Sequence, residues 1–398
     1  MPGIVFQIEA PQKTSRFEFF ELGFRPFFLL ASFYAVLSVG LWAAVYIWSA
    51  PIAPLGLAVT YWHAHELVFG YGFAVVAGFL LTAIPNWTGL QTIRNGKLAL
   101  LVSLWIGGRI LFLLQAPWLL TLTVEMLFGL GLLLASSQPL YRSCQLQNLF
   151  IFSSKIALMT LANACFYLGM AGYFSDGLRW GLYTGIYLLI ALVFTLGRRV
   201  IPFFIERGVG HPVQLRNSKL VDLISLFGLL GVWLTELFTP VSLWSIAFAL
   251  LTASAQVIRL YWWHVRGIWR KPMLWVLWAG LAWITVGLIL KAVSEWQGMY
   301  PFAAWHAMTY GGIGMVTLGM MARASLGHSG RDVLQPPRLL GLLFLAFATG
   351  AGIRSLLPLL FPSMHMLAVE ISMAIWIFVF ALFFLRFFTI WVGPSVKS

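Results

Sequence analysis

The sequence predicts an all-α, polytopic integral membrane protein, and three observations carry that prediction. Of its 398 residues, 61% are hydrophobic and only 9% charged, with a mean hydropathy of +0.89, whereas a soluble globular chain carries about 25% charged residues. The apolar residues come in runs of about 20, enough to cross a hydrocarbon core of about 30 Å as helix. A transmembrane barrel would instead show alternating segments of about 10. The basic residues behind the formal net charge of +13 punctuate the runs rather than forming one patch, so no nucleic-acid surface is expected.

Taken in order, residues 1–25 form a polar to amphipathic N-terminal segment on the cytoplasmic side, with Phe17 to Phe28 lying along the interface. The acids Glu9, Glu18 and Glu21 and the FRPFFLL run leave no cleavable-signal pattern. One transmembrane domain of twelve spans then fills 27–391, with spans near 27–49, 61–84, 97–115, 118–140, 146–171, 179–203, 219–238, 241–264, 273–294, 302–324, 338–360 and 364–391. Short loops make sequential helices antiparallel neighbours. The longest connection, about Phe203 to Lys219, carries Glu206, Arg207, His211 and Arg216. Twenty of the 25 lysines and arginines fall on the side of the two termini and the even-numbered loops, which places both termini in the cytoplasm.

That orientation sorts the histidines. His211, His264 and His328 are cytoplasmic, while His63, His65, His306 and His365 each open an even-numbered span from outside, at one depth in the outer leaflet. Ionisable groups at such a position mark a site by default. Trp62-His63-Ala64 recurs as Trp305-His306-Ala307, each followed by glycines, a short echo suggesting an internal repeat. Two histidines of equal depth on two helices suit axial ligation of a b-type haem, and the glycines would let a flat macrocycle approach the backbone. His65 lies about 200° around the helix from His63, so the two serve different neighbours. His365 between Met364 and Met366 offers a donor set suited to copper, and Glu66 either orients an imidazole or ligates. For each histidine the competing reading is an amphipathic interface anchor, and for the methionines it is simple packing.

Arg109, Lys291 and Arg354 occupy the same leaflet and fit as donors to haem propionates; snorkelling explains their placement equally well. Glu125, Lys155 and Glu370 are deeper and suit ion pairs or a proton path. With only Cys144 and Cys165, and neither CxxC nor CxxCH, covalent c-type haem and thiolate metal sites are excluded.

Gly23-Phe24-Arg25-Pro26-Phe27-Phe28, the WHAHE stretch with AGFLLTAIPNWTG (Ala77 to Gly89), GRRVIPF (Gly197 to Phe203) and WHAMTYGGIGMVTLGMMARASLGHSGR (Trp305 to Arg331) together resemble the NnrS family. The resemblance implies a bacterial inner-membrane protein of twelve spans that contains haem and copper and is linked to nitric oxide or nitrosative stress. It carries His63, His65 and His306 over as ligands, and Arg323 and His328 as motif residues of unassigned role. Nitric oxide is the expected small-molecule ligand, and an electron-donor protein or a quinol the expected redox partner. The rivals are a secondary transporter, suited by glycine-rich helices and intramembrane charges, and an assembly or metal-delivery subunit of a respiratory complex.

Overall fold

A computed structural model describes residues 18–50, 57–299 and 301–396, and every regular element among them is helical. In chain order the helices are α1 (Phe24–Tyr46), α2 (Val59–Thr88), α3 (Gly96–Leu113), α4 (Trp118–Arg142), α5 (Leu146–Met170), α6 (Gly177–Gly208), α7 (Lys219–Phe238), α8 (Leu243–Trp263), α9 (Pro272–Trp296), α10 (302–328), α11 (Leu339–Leu360) and α12 (His365–Val392). Eleven of these, all but α10, are long and apolar enough to cross a membrane by length and composition. That fits a multi-pass membrane protein.

Two helices are not regular throughout. In α2 the α-helical Val59–His65 passes into a π-helical Glu66–Gly72 before Phe73–Thr88 resumes. In α10, Phe302–His306 passes into a π-helical Ala307–Gly314 before Met315–His328. Each Trp-His-Ala triplet therefore stands at the entry to a widened turn, so the sequence echo is also an echo of backbone. Such widened turns recur at functional positions, because they rotate the following side chains relative to a regular helix.

The chain divides into two compact units. The first runs to Gly185 and includes Ala324–Arg331 and the stretch from Phe380; the second comprises Ile186–Arg323 and Asp332–Val379. The expected interfacial aromatic run is instead core in the first unit, where Phe24, Phe27 and Phe28 are fully buried. A Cβ on Gly78 would stand 2.7 Å from Phe28 Cε1, so α1 and α2 meet where a side chain is missing. Pro85, in the last turns of α2, cannot donate to Leu81, and Thr92 Oγ1 supplies that bond at 2.6 Å. Gly89, with φ of 70°, ends the helix in the left-handed region that favours glycine.

Between α4 and α5 a Cβ on Gly129 would fall inside the van der Waals shell of Thr160. Gly129→Val is expected to destabilise the purified protein by about 1–3 kcal/mol through overpacking, and Thr160→Ala to recover part of the loss in a thermal melt. An additive double variant would contradict this packing account.

The second unit is held by the same close approaches. Gly280 faces Val316, Gly287 faces Met308, and Gly312 faces Ile284, so α9 and α10 pack nearly backbone to backbone. Asp222 binds Arg198 at 2.7 Å and Arg259 at 2.8 Å, tying α6, α7 and α8 together. α6 continues through Pro202 to Gly208, so the long connection expected after Phe203 is shorter than its charge pattern suggested.

Candidate functional site

A buried polar assembly lies in the first unit and starts at His65. The ring is fully buried among Phe69, Phe112, Phe166 and Tyr167. Its Nδ1 meets Glu66 Oε1 at 2.8 Å and its Nε2 meets Asn163 Oδ1 at 2.9 Å. Glu66 also accepts from the Tyr34 hydroxyl and from Arg109 Nη1, the latter at 2.5 Å. Arg109 reaches on to Glu125, which accepts in addition from Asn163 Nδ2 and, at 2.8 Å, from the Tyr167 hydroxyl.

Five helices thus contribute to one network: Tyr34 from α1, His65 and Glu66 from α2, Arg109 from α3, Glu125 from α4, and Asn163 and Tyr167 from α5. Missing side chains make the room. A Cβ on Gly70 would sit 2.7 Å from the Tyr34 ring and 3.3 Å from Arg109 Nη1, and one on Gly108 would sit 2.9 Å from Glu125 Cγ. The backbone carbonyl of Gly70 is satisfied by Trp105 Nε1 at 3.1 Å. Two carboxylates oppose one guanidinium, so the cluster is neutral only when it carries one further proton. The His65 Nδ1–Glu66 Oε1 bond is the place for it, since imidazole and carboxylate can each hold it there. Chemically, then, the cluster can keep one proton in the interior of an apolar bundle.

His63 has a different environment. Its half-buried ring stacks on Trp42 of α1 at 4.2 Å between centroids and 21° between planes. His63 and His65 therefore serve different neighbours, as their helical separation requires.

In the second unit His306 Nδ1 lies 2.9 Å from the carbonyl of Phe302. A carbonyl only accepts, so Nδ1 carries a proton, and in the neutral ring the lone pair is then on Nε2. Its neighbour Trp305 lies with its ring 5.4 Å from Lys291 Nζ, and Lys291 binds both Glu236 and Glu295. His365 is the first residue of α12, and the flanking Met364 and Met366 are 42% and 45% exposed.

The sequence-predicted residues are therefore partly gathered and partly dispersed. His65, Glu66, Arg109 and Glu125 come together. Arg109 engages Glu66 and Glu125, Lys291 engages Glu236 and Glu295, and Arg354 is buried in α11. Lys155 donates to the Ile151 carbonyl of its own helix at 3.0 Å, and Glu370 is exposed. Both cysteines are free.

The fit to the implied cofactors is uneven. The lone pair on His306 Nε2 suits an axial ligand. Both ring nitrogens of His65 and the whole carboxylate of Glu66 are taken by side chains, so neither suits copper as placed. Among the described residues no group of three or more His, Cys, Asp or Glu side chains is arranged to hold a metal ion. The glycine faces expected to admit a macrocycle are filled by neighbours, Gly311 by Trp283 and Gly314 by Phe347.

Asn163, Tyr167, Tyr34, Glu236 and Glu295 were not singled out from the sequence. A lone amide inside the apolar run of α5 was the available signal for Asn163; the two glutamates sit within a turn of helix ends, where acids are ordinarily solvated.

Other motif residues have structural duties. Arg25 Nη1 donates to the carbonyls of Ile390, Trp391 and Gly393, and its Nη2 to Glu18 at 2.8 Å and Ser395 Oγ at 2.9 Å. The His328 ring packs 6.0 Å from that of Phe24, and the Ser329 carbonyl accepts from Val396 N–H at 2.9 Å. These are the contacts that close α12 onto the start of α1.

A family model described as NnrS protein matches residues 18–395. No curated protein matches the chain. With nearly its whole length covered by that one family model, the chain belongs to the NnrS family.

Proposed function

We propose that this is a haem-binding protein of the bacterial inner membrane that captures or converts nitric oxide, with its iron near the outer helix ends. Family membership supports the link to nitric oxide. Twelve helical segments and the lysine and arginine asymmetry support twelve crossings with both termini in the cytoplasm. One observation carries the ligand assignment: the Phe302 carbonyl fixes the proton of His306 on Nδ1, the usual device for presenting the other imidazole nitrogen to a metal.

Haem, when bound, supplies the affinity for nitric oxide. His306 would hold it through Nε2, and the hydrogen bond to Phe302 makes that nitrogen a stronger donor. His63, steadied by its stack on Trp42, is the corresponding imidazole of the Trp-His-Ala segment in the first unit. The His65 cluster keeps a proton within the bundle. Electrons would come from a donor protein or a quinol. Copper is not proposed at His65 or Glu66, whose donor atoms are already engaged.

The test is optical. Protein purified after expression with haem supply should show a Soret band that shifts on adding nitric oxide; His306→Ala should lose most of it, and His65→Gln should keep it. A full Soret band in His306→Ala and in the His63→Ala, His306→Ala double variant would overturn the assignment.

A second reading, proton-coupled secondary transport, is favoured by one observation, the proton-holding cluster built from five helices. Iron content separates the two. About one iron per chain supports the first; none, together with proton-dependent uptake in vesicles, supports the second.

A further inference from the structure

We propose that the second unit carries a binding site for the phosphate group of an anionic phospholipid, built on Arg323 and Lys271. The site is a small, shallow recess at the protein surface. It lies at the end of the unit where α6 closes, α9 opens and α10 nears its end. Gly208, Lys271, Pro272, Arg323 and Leu334 are among the residues that line it.

Arg323 is the unusual residue. Its guanidinium lies 3.5 Å from the centroid of the Phe204 ring, and among the described residues no carboxylate pairs with it. Arg259 of the same unit, by contrast, is paired with Asp222. Taking an unpaired cation out of water is costly, and the ring face returns only about 2 kcal/mol when desolvated. Lys271, half-buried on the same cleft, likewise has no acidic partner among the described residues. The acid nearest Arg323 along the chain, Asp332, is exposed and accepts from the Leu334 backbone N–H at 2.7 Å. Two basic residues therefore line one recess with no carboxylate partner among the described residues.

The chemistry of the lining residues specifies the anion. A guanidinium fork matches two phosphate oxygens, and a lysine ammonium on the same recess adds a point charge. The positive end of the α9 dipole, opening at Pro272, adds a favourable field for an anion. The rest of the wall is apolar, with Met273, Leu274 and Leu334, the last 54% exposed at the mouth. A soluble phosphate gains nothing from that wall, whereas the first carbons of an acyl chain do. Basic recesses between membrane helices at the positively charged face suit anionic headgroups on the same grounds.

The experiment uses the full chain purified in detergent. Unfolding temperature and retained lipid, the latter by native mass spectrometry, are read with added phosphatidylglycerol, phosphatidylcholine or inorganic phosphate. Wild type is compared with Arg323→Gln, Lys271→Gln and, as a control for general charge attraction, Arg142→Gln. Phosphatidylglycerol should raise the melting temperature of wild type and Arg142→Gln more than phosphatidylcholine does. That difference should fall by at least half in Arg323→Gln and Lys271→Gln, with one phosphatidylglycerol fewer retained per chain. Lys271→Gln, at a half-exposed position, keeps the test open should Arg323→Gln not fold. Equal rises in all four proteins, or no difference between the two lipids, would overturn the site. Equal protection by inorganic phosphate alone would overturn a lipid as the source.

Discussion

Replacing Arg109 by methionine is expected to lower the unfolding free energy of the detergent-purified protein by about 3–5 kcal/mol, the cost of removing one partner from a buried ion pair. The loss exceeds that of an ordinary core substitution because Arg109 is the fixed positive charge between Glu66 and Glu125, which are 1% and 4% exposed. Without it two carboxylates and His65 keep hydrogen bonds from Tyr34, Asn163 and Tyr167 but have no fixed positive charge beside them in the apolar bundle. Adding Glu125→Gln to the Arg109→Met variant should recover a good part of the loss, because the amide keeps hydrogen-bonding partners and removes one charge. Glu125→Gln alone should cost less than Arg109→Met. A melt shows this directly, and a loss under about 1 kcal/mol for Arg109→Met would mean that water reaches the cluster and screens it.

Arg25→Gln should cost about 3 kcal/mol by the same logic at a different place. The last carbonyls of a helix have no partner within the helix, and Arg25 supplies donors to those of Ile390 and Trp391 as well as to Gly393 beyond. It also neutralises Glu18, 5% exposed, whose Oε2 additionally accepts from Ser395 N–H and Oγ. The substitution therefore strands an acid and opens a helix end together. Arg25→Lys should restore only part of the stability, since a single ammonium lacks the fork that reaches carbonyls and carboxylate at once. Limited proteolysis should cut the chain after Gly393 sooner in Arg25→Gln than in wild type; equal rates would separate Arg25 from the closure of α12.

The helices were legible in the sequence to within a few residues, with α2 and α6 running four and five residues past their expected ends. The span expected at 219–238 is α7, Lys219–Phe238, and that expected at 118–140 is α4, Trp118–Arg142. Length and apolarity alone decide such elements, because a backbone in hydrocarbon must satisfy its own hydrogen bonds as helix. Four members of the buried network, His65, Glu66, Arg109 and Glu125, also stand out in the sequence against an apolar background, whereas Tyr34, Asn163 and Tyr167 do not.

What those residues do was not legible. His65 reads as a metal ligand when only the spacing WHAHE is known; the fold turns both its nitrogens onto Glu66 and Asn163. Arg109 and Lys291 read as propionate donors until Glu125 of α4 and Glu236 of α7 arrive beside them. The glycines of α2 and α10 read as room for a macrocycle, and neighbouring side chains fill that room.

The sequence by itself determined that this chain is a bundle of membrane-crossing helices of the NnrS family and which few side chains carry charge into it. Only the tertiary structure decided how those charges pair. Span and depth follow from one dimension, the run of apolar residues along the axis, whereas pairing depends on the rotation of each helix about that axis and on which helix packs beside it, and both are set by contacts between residues far apart in the chain.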